Sequence, residues 1–395
     1  MLTLLAAVFL SAAAPPASVT VTDLAGRTQE GEVEAFEKGR LRIRSGEEIR
    51  EIPAEEIRTV SVRLAASSKP EPVLFLSDGS ALPGRVGEID KERVALRSES
   101  LGTRTFPLSA VRAVRFPDVM KSAEALAAFE QDRAKNRDPI DRLFVVRGTA
   151  HLTIPATVLS IGETEILVRW EGSERRLERD KTFGIVFGRS APPPTPPEAA
   201  RIHLTDGGMI LAPIRSWTRG RLVAAAAGGE LEVPAATVSS VEFSPDRLAY
   251  LSDLVPAESV DTPLLKGAAG YAVAWPMRKD GCARGGPLRL GRKTYPKGIG
   301  VHSRSRIGFD LNGDYKTFHA VAGIDDSTEG RGHCVFRILG DGKPLAAEFA
   351  LKGTDAPKTI SADVSGVRRL VLEVDYGEGL DLSDFADWAD ARVVK

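Results

Sequence analysis

Tyr295-Pro-Lys-Gly-Ile-Gly-Val-His-Ser-Arg-Ser-Arg-Ile-Gly-Phe-Asp-Leu311 is the stretch on which the reading of the fold turns. Ile307, Phe309 and Leu311 recur at every second position, the spacing that lines one face of a strand. Gly298 and Gly300 suit backbone turns or a close approach of another strand. Outward from this stretch the same texture continues. Downstream come Tyr315-Lys-Thr-Phe318, Gly323-Ile-Asp-Asp326, Val335-Phe-Arg-Ile338, the turn Gly340-Asp-Gly-Lys343 and Leu370-Val-Leu-Glu-Val374. The chain then closes on Asp384-Phe-Ala-Asp-Trp-Ala-Asp-Ala-Arg392. Upstream lie Leu251-Ser-Asp-Leu254, Trp275-Pro276 and Gly285-Gly-Pro-Leu-Arg-Leu-Gly291. Helical periodicity is absent throughout. Strands with one apolar face, separated by Gly, Asp and Pro, predict an antiparallel β-sandwich over residues 248–395.

Residues 18–246 are built differently. Four stretches end alike: Ile52-Pro53 to Val62, Phe106-Pro107 to Phe116, Leu177-Glu178 to Phe187, and Val233-Pro234 to Phe243. In each, an apolar residue and then Pro (Glu178 in the third) precede a short turn and an alternating strand. Two of them open on an Asp-Gly hairpin signal, Asp78-Gly79 and Asp206-Gly207. The unit is about 45 residues long with about five short strands, too small to bury much apolar surface unless its sheet closes on itself. The expected copies are 18–64, 70–117, 140–189 and 200–246, small barrels packed in pairs. Between the second and third, residues 118–138 carry Val119, Ala123, Leu126 and Phe129 on one side and predict an amphipathic helix that acts as a packing strut. Residues 190–199, with five prolines, read as a semi-rigid linker.

The chain is close to electrically neutral, with 53 Lys and Arg against 54 Asp and Glu among 395 residues, which leaves no bulk attraction to nucleic acid or anionic lipid. Residues 1–17 hold a short apolar run and then small residues, the pattern of a secretory signal peptide. The expected location is therefore exported: periplasmic, cell-surface or extracellular, with no membrane insertion once the signal is removed. Cys282 and Cys334 either form one disulfide or remain as two packed thiols. No nucleophile elbow, phosphate loop or His-Glu-x-x-His string occurs, and the five histidines are scattered, so no enzyme is read here.

Four strings in register, Lys297–His302, Gly323–Asp326, Gly340–Gly342 and Asp387–Arg392, resemble the NPCBM domain, a carbohydrate-binding module also attached to blood-group-cleaving glycosidases. The resemblance implies a jelly-roll, galactose-binding-like fold, no catalysis and a glycan partner. One departure is Phe385, where the family usually carries His. The small repeats are similar to Sm-like β-barrels in pattern and length.

Sugar binding asks for an aromatic face with polar groups beside it, and Trp275, Arg278 and Tyr295 are the candidates. His302 either donates to a sugar or satisfies its own loop. Asp325, Asp326, Asp387 and Asp390 either hold one structural calcium, which takes 6–8 oxygens, or cap loop amides. Trp388 is read as core. The expected function is non-catalytic carbohydrate binding by a mainly β, exported protein. The alternative is a structural or protein-interaction component of a cell-envelope assembly that binds no glycan and contacts envelope proteins.

Overall fold

A computed structural model describes residues 18–62, 74–89, 92–116, 119, 122–135, 138–147, 150–188, 196, 198–243, 247–262, 264 and 275–395. The expected signal peptide and nearly all of the proline linker lie outside the described residues. The chain divides into two compact units, Met1–Pro245 and Asp246–Lys395. Among the described residues no helix is long and apolar enough to cross a membrane.

In the first unit one pairing scheme recurs, with the second strand broken into Ala81–Leu82 and Arg85–Ile89 in the second copy. The first copy runs through strands Ser18–Asp23, Thr28–Glu37, Arg40–Ser45, Glu48–Pro53 and Ile57–Val62. Each strand pairs antiparallel with the next up to the fourth, and the first also pairs with the fifth. The fourth copy repeats this with Ala199–Leu204, Met209–Thr218, Arg221–Ala226, Gly229–Pro234 and Val238–Glu242. The corner between fourth and fifth strands is one 3-10 turn, which follows Pro53, Pro107, Glu178 or Pro234 at φ of −61°, −63°, −71° and −57°. Proline fixes that φ in advance, and the third copy reaches it with Glu178 unaided.

Copies join through their fifth strands. Val241 faces Val60, joining the fourth copy to the first, and Val114 faces Ile185, joining the second to the third. The helix spans Ala123–Lys135, shorter than the predicted 118–138. Its buried residues are Ala125 and Phe129, whereas Leu126 is half-buried and Ala123 exposed. The buried stripe is thus the i, i+4 pair 125/129, not the face through Ala123 and Leu126. Phe129 selects it by seating its ring among Phe75, Phe144 and Phe183, at centroid distances of 6.0, 5.4 and 6.4 Å.

The second unit is a two-sheet sandwich. One sheet has the order Arg278–Lys279, Gly298–His302, Phe385–Val394, Thr317–Ile324, Lys358–Asp363, with Leu248–Tyr250 also on Phe385–Val394. The other has the order Glu258–Asp261, Ser305–Asp310, Arg369–Tyr376, His333–Gly340, Lys343–Pro344, with Phe349–Lys352 also on His333–Gly340. All pairings are antiparallel. His333–Gly340 alternates half-buried and buried along its whole length, as a strand with one core face must. The Phe385–Val394 strand is buried at every position except Asp390. A third layer explains this: the hairpin of Leu288–Leu290 and Lys293–Tyr295 lies on the outer face of the first sheet. Leu290 reaches within 2.9 Å of where a Cβ on Gly323 would stand, and Leu288 within the same distance at Gly298.

Candidate functional site

The glycine pattern read from the sequence builds the floor of the site. A Cβ on Gly300 would stand 2.3 Å from the Gly281 carbonyl oxygen and 2.7 Å from Cys282 Cα. Glycine at that position lets the 281–283 turn lie flat on the sheet. In register, Asp387 is opposite Gly300 on one neighbouring strand and Gly323 on the other. Its side chain therefore leaves the sheet between two bare positions, on the face opposite Trp388. Trp388 points into the sandwich core, edge-on to Phe336 at 5.3 Å, as its core reading requires.

Asp387 is fully buried, and neither carboxylate oxygen meets a hydrogen-bond donor. Asp325 and the Cys282 thiol complete a cluster whose ligand atoms lie within 4.8 Å of one another. Burial, then the adjacent Asp325, push the Asp387 carboxyl well above the usual carboxylate range. Burial also opposes the charge on Asp325, but hydrogen bonds from Asp387, from Ser327 and from the Arg289 N–H outweigh it and hold that carboxyl low. Two facing carboxylates resolve this by sharing a single proton: Asp387 is the neutral acid and donates to ionised Asp325, which supplies the acceptor for that proton. Burial, and then the single negative charge held by the Asp387–Asp325 pair, raise the Cys282 thiol to about 12, so it stays protonated.

The four carboxylates expected to share a calcium do not converge. Asp326 is exposed and accepts from the N–H groups of Gly291 and Arg292 at 3.0 and 2.7 Å. Asp390 pairs with Arg392 at 2.6 Å. Asp325 accepts from Arg289 N at 3.0 Å and Ser327 N at 2.9 Å. Only Asp325 and Asp387 meet, with a thiol as third member, and that set does not fit an ion that takes 6–8 oxygens. What the loop carboxylates do instead is tie the covering hairpin to the sheet through backbone amides.

The expected sugar contacts also separate. Trp275 and His302 come together, ring centroids 6.1 Å apart, with Phe385 between them at 4.9 Å from Trp275 and 4.8 Å from His302. Tyr295 ends the covering hairpin beneath the Lys293 ammonium, 4.8 Å away. Burial and then the charges of Asp390 and Asp326 raise its hydroxyl, which sets it beside a different group of residues. Arg278 is exposed on the edge strand, in register with Gly300.

His302 is 7% exposed, and its Nδ1 lies 2.7 Å from the Ser303 carbonyl oxygen. A carbonyl only accepts, so Nδ1 carries a proton and is spent within the loop, which leaves Nε2 as the ring's other polar atom. Next to it, Ser303 Oγ donates to Asp384 at 2.9 Å, and the His333 N–H donates to the same carboxylate at 2.8 Å. Burial nevertheless pushes the Asp384 carboxyl up.

Sequence reasoning passed over two members of this rim. Phe385 was noted only as a departure from His, yet its ring is the contact that joins Trp275 to His302. Arg284 lies over Phe385 at 5.8 Å and donates to the Ser327 carbonyl at 2.9 Å, with the residue itself exposed. Its one signal was its place in a glycine-rich turn, Gly281-Cys-Ala-Arg-Gly-Gly286. The two cysteines are free and buried, so the disulfide alternative does not form.

The chain is similar to several known proteins over part of its length. The chain is 38% identical over 108 residues to a protein of Renibacterium salmoninarum named as a candidate endo-alpha-N-acetylgalactosaminidase, covering 27% of this chain and 7% of that protein. It is 32% identical over 107 residues to alpha-1,3-galactosidase B of Akkermansia muciniphila, covering 26% and 13%. The chain thus spans a small part of the curated relatives it matches. Among solved structures, a CBM51 module of a Clostridium perfringens protein in complex with methyl-galactose is 24% identical, with a TM-score of 0.32 over 37% of this chain and 99% of that one. CBM51-2 with the INT domains of Clostridium perfringens ZmpB, in complex with GlcNAc, is 26% identical, with a TM-score of 0.33 over 44% and 36%. The family model described as the NPCBM/NEW2 domain matches residues 248–394, so it is the C-terminal unit of this chain that carries the family likeness.

Proposed function

We propose that this protein is a non-catalytic carbohydrate-binding protein that works outside the cytoplasm, and that its C-terminal unit meets the glycan at the rim formed by Trp275, Phe385, His302 and Arg284. The observation that carries the reading is the partly buried indole of Trp275, edge-on to Phe385, whose ring the Arg284 guanidinium also approaches. A sugar offers an apolar C–H face and a ring of hydroxyls. An aromatic platform packs the first, and a fixed guanidinium fork with carbonyl and hydroxyl neighbours reads the second. Phe385 and the loop hydrogen bonds of His302 and Ser303 hold the platform before any ligand arrives, which lowers the cost of binding. The match to the NPCBM/NEW2 family supports the same reading, as do relatives named for galactosaminide and galactoside chemistry.

The test is a glycan array probed with the full chain, followed by titration of any positive sugar. Saturable binding is expected, and Arg284→Ala, an exposed position, should weaken it by about 1–3 kcal/mol, the loss of one charge-assisted hydrogen-bond donor. Trp275→Ala should abolish it. Silence on the array together with stoichiometric capture of envelope proteins would replace this reading with that of a structural or protein-contacting component.

A further inference from the structure

In the first unit the second and third copies enclose an open cleft of about 900 Å³ that carries four arginines, Arg85, Arg97, Arg115 and Arg179, against two carboxylates, Glu163 and Asp180. Arg85 and Arg97 stand directly opposite each other on the antiparallel strands Arg85–Ile89 and Arg93–Ser98. Like charges in that relation repel and weaken the pair. Both side chains are exposed, and among the described residues neither guanidinium has an ion-pair partner.

A third guanidinium adds to the field. Arg179 is anchored by donating to the carbonyls of Gly162 at 3.0 Å and Val86 at 3.2 Å, and its head stacks over Phe116 at 4.6 Å. Burial and the nearby charge of Arg85 both disfavour its ionised form. Three guanidiniums thus face one concavity, Arg179 with Glu163 near it, and among the described residues no carboxylate pairs with Arg85 or Arg97. A cleft with low-dielectric walls focuses such a field on whatever enters.

We propose that this cleft binds a tetrahedral oxyanion, a sulfate or phosphate group, held between Arg85 and Arg97 with the Thr103 hydroxyl beside it. Two guanidinium forks from directly opposed strand positions offer paired donors to the oxygens of such a group. The site takes one isolated anion and not a nucleic-acid backbone. Glu163 and Asp180 on the wall would repel the phosphates on either side, and Phe116 is buried under Arg179 and offers no face for base stacking. Of the apolar residues at the walls, Val86 and Leu96 are buried in the core and Val119 alone is partly exposed, so the charged groups dominate what the cleft presents. The proposal is independent of the C-terminal rim.

The experiment titrates the full chain at low salt with inorganic sulfate, with a sulfated oligosaccharide and with its desulfated form, while melting is followed in parallel. Binding and a raised melting temperature with sulfate are expected. Arg85→Gln and Arg97→Gln should each weaken binding by about tenfold, as loss of one charge-assisted donor pair does. The double variant should melt higher than the parent in the absence of anion, because the cross-strand repulsion is gone, and should not respond to sulfate. Tighter binding of the sulfated sugar with silence from the desulfated one assigns the anion to a glycan; equal affinity for sulfate and sulfated sugar assigns it to the free ion. Failure of sulfate to bind or to shift melting overturns the proposal, as does binding that survives the double variant, or a polyribonucleotide that binds with a steep multi-ion salt dependence.

Discussion

Asp387 shows what a single residue can mean in this fold. Its carboxyl is sealed beneath the 281–290 segment, between Gly300 and Gly323, and shares a proton with Asp325. A carboxyl whose folded pKa lies above its ordinary value of 3.8 contributes fully below that value, and its contribution is lost as pH rises through the folded pKa. Asp384, raised by burial, adds in the same sense. Asp325, held low, loses its contribution only as pH falls below the ordinary carboxylate range. Melting temperature of the C-terminal unit should therefore decline from about pH 4 upward. Asp387→Asn keeps the shape and still donates to Asp325, so its decline should be shallower, and at pH 8 it should be more stable than the parent. A melting series across pH checks this; a variant that parallels the parent throughout would dismiss the shared proton. The sequence displayed Asp325 and Asp387 as two Asp-rich strings. It could not say that they meet, since strand register alone sets Gly323 and Gly300 on either side of Asp387.

At the scale of elements, turn chemistry read through well and side-chain faces less so. The corner before the fifth strand appears in all four copies; proline encodes its φ locally in three of them and Glu178 adopts it in the third. The Asp-Gly turns did more than turn the chain. Asp206 is buried, and accepts from Ser98 Oγ and the Ser100 N–H of the second copy, while Asp78 of that copy accepts from the Ala227 N–H of the fourth. The helix was placed by its pattern, but its buried face was misread, because Leu126 and Phe129 are both apolar and only the waiting Phe75, Phe144 and Phe183 rings decide between them. A Cβ on Gly184 would stand 2.6 Å from the Phe129 ring, so that glycine is what admits the ring onto the strand. Phe129→Ala should cost about 3–5 kcal/mol in denaturant unfolding, the range for a buried aromatic truncated to a cavity. Leu126→Ala, on the half-buried side, should cost less than half of that. Equal costs would restore the face through Leu126.

For the whole molecule, the division at Pro245 and Asp246 separates two cores of different construction. In the first, small sheets gain area by joining fifth strands, so no copy owns its edge and the unit should unfold as one. In the second, one sandwich core is complete within 150 residues. Calorimetry of the full chain should resolve two transitions, and residues 246–395 produced alone should reproduce one of them to within about 4 °C, the shift that roughly 1 kcal/mol would cause in a domain of this size. A shift much beyond that, or a fragment that fails to fold, would show that the units depend on each other.

The sequence by itself determined the β character, the four-fold recurrence, the proline corners and the turn strings of the C-terminal unit, because each is written in residues within a few positions of one another and acts through local φ, ψ and alternation. Tertiary structure alone decided which aromatic rings form a rim, which carboxylates share a proton and which arginines face each other across strands. Those contacts join residues tens of positions apart, and they depend on sheet register, where a slip of one residue would send every side chain to the opposite face.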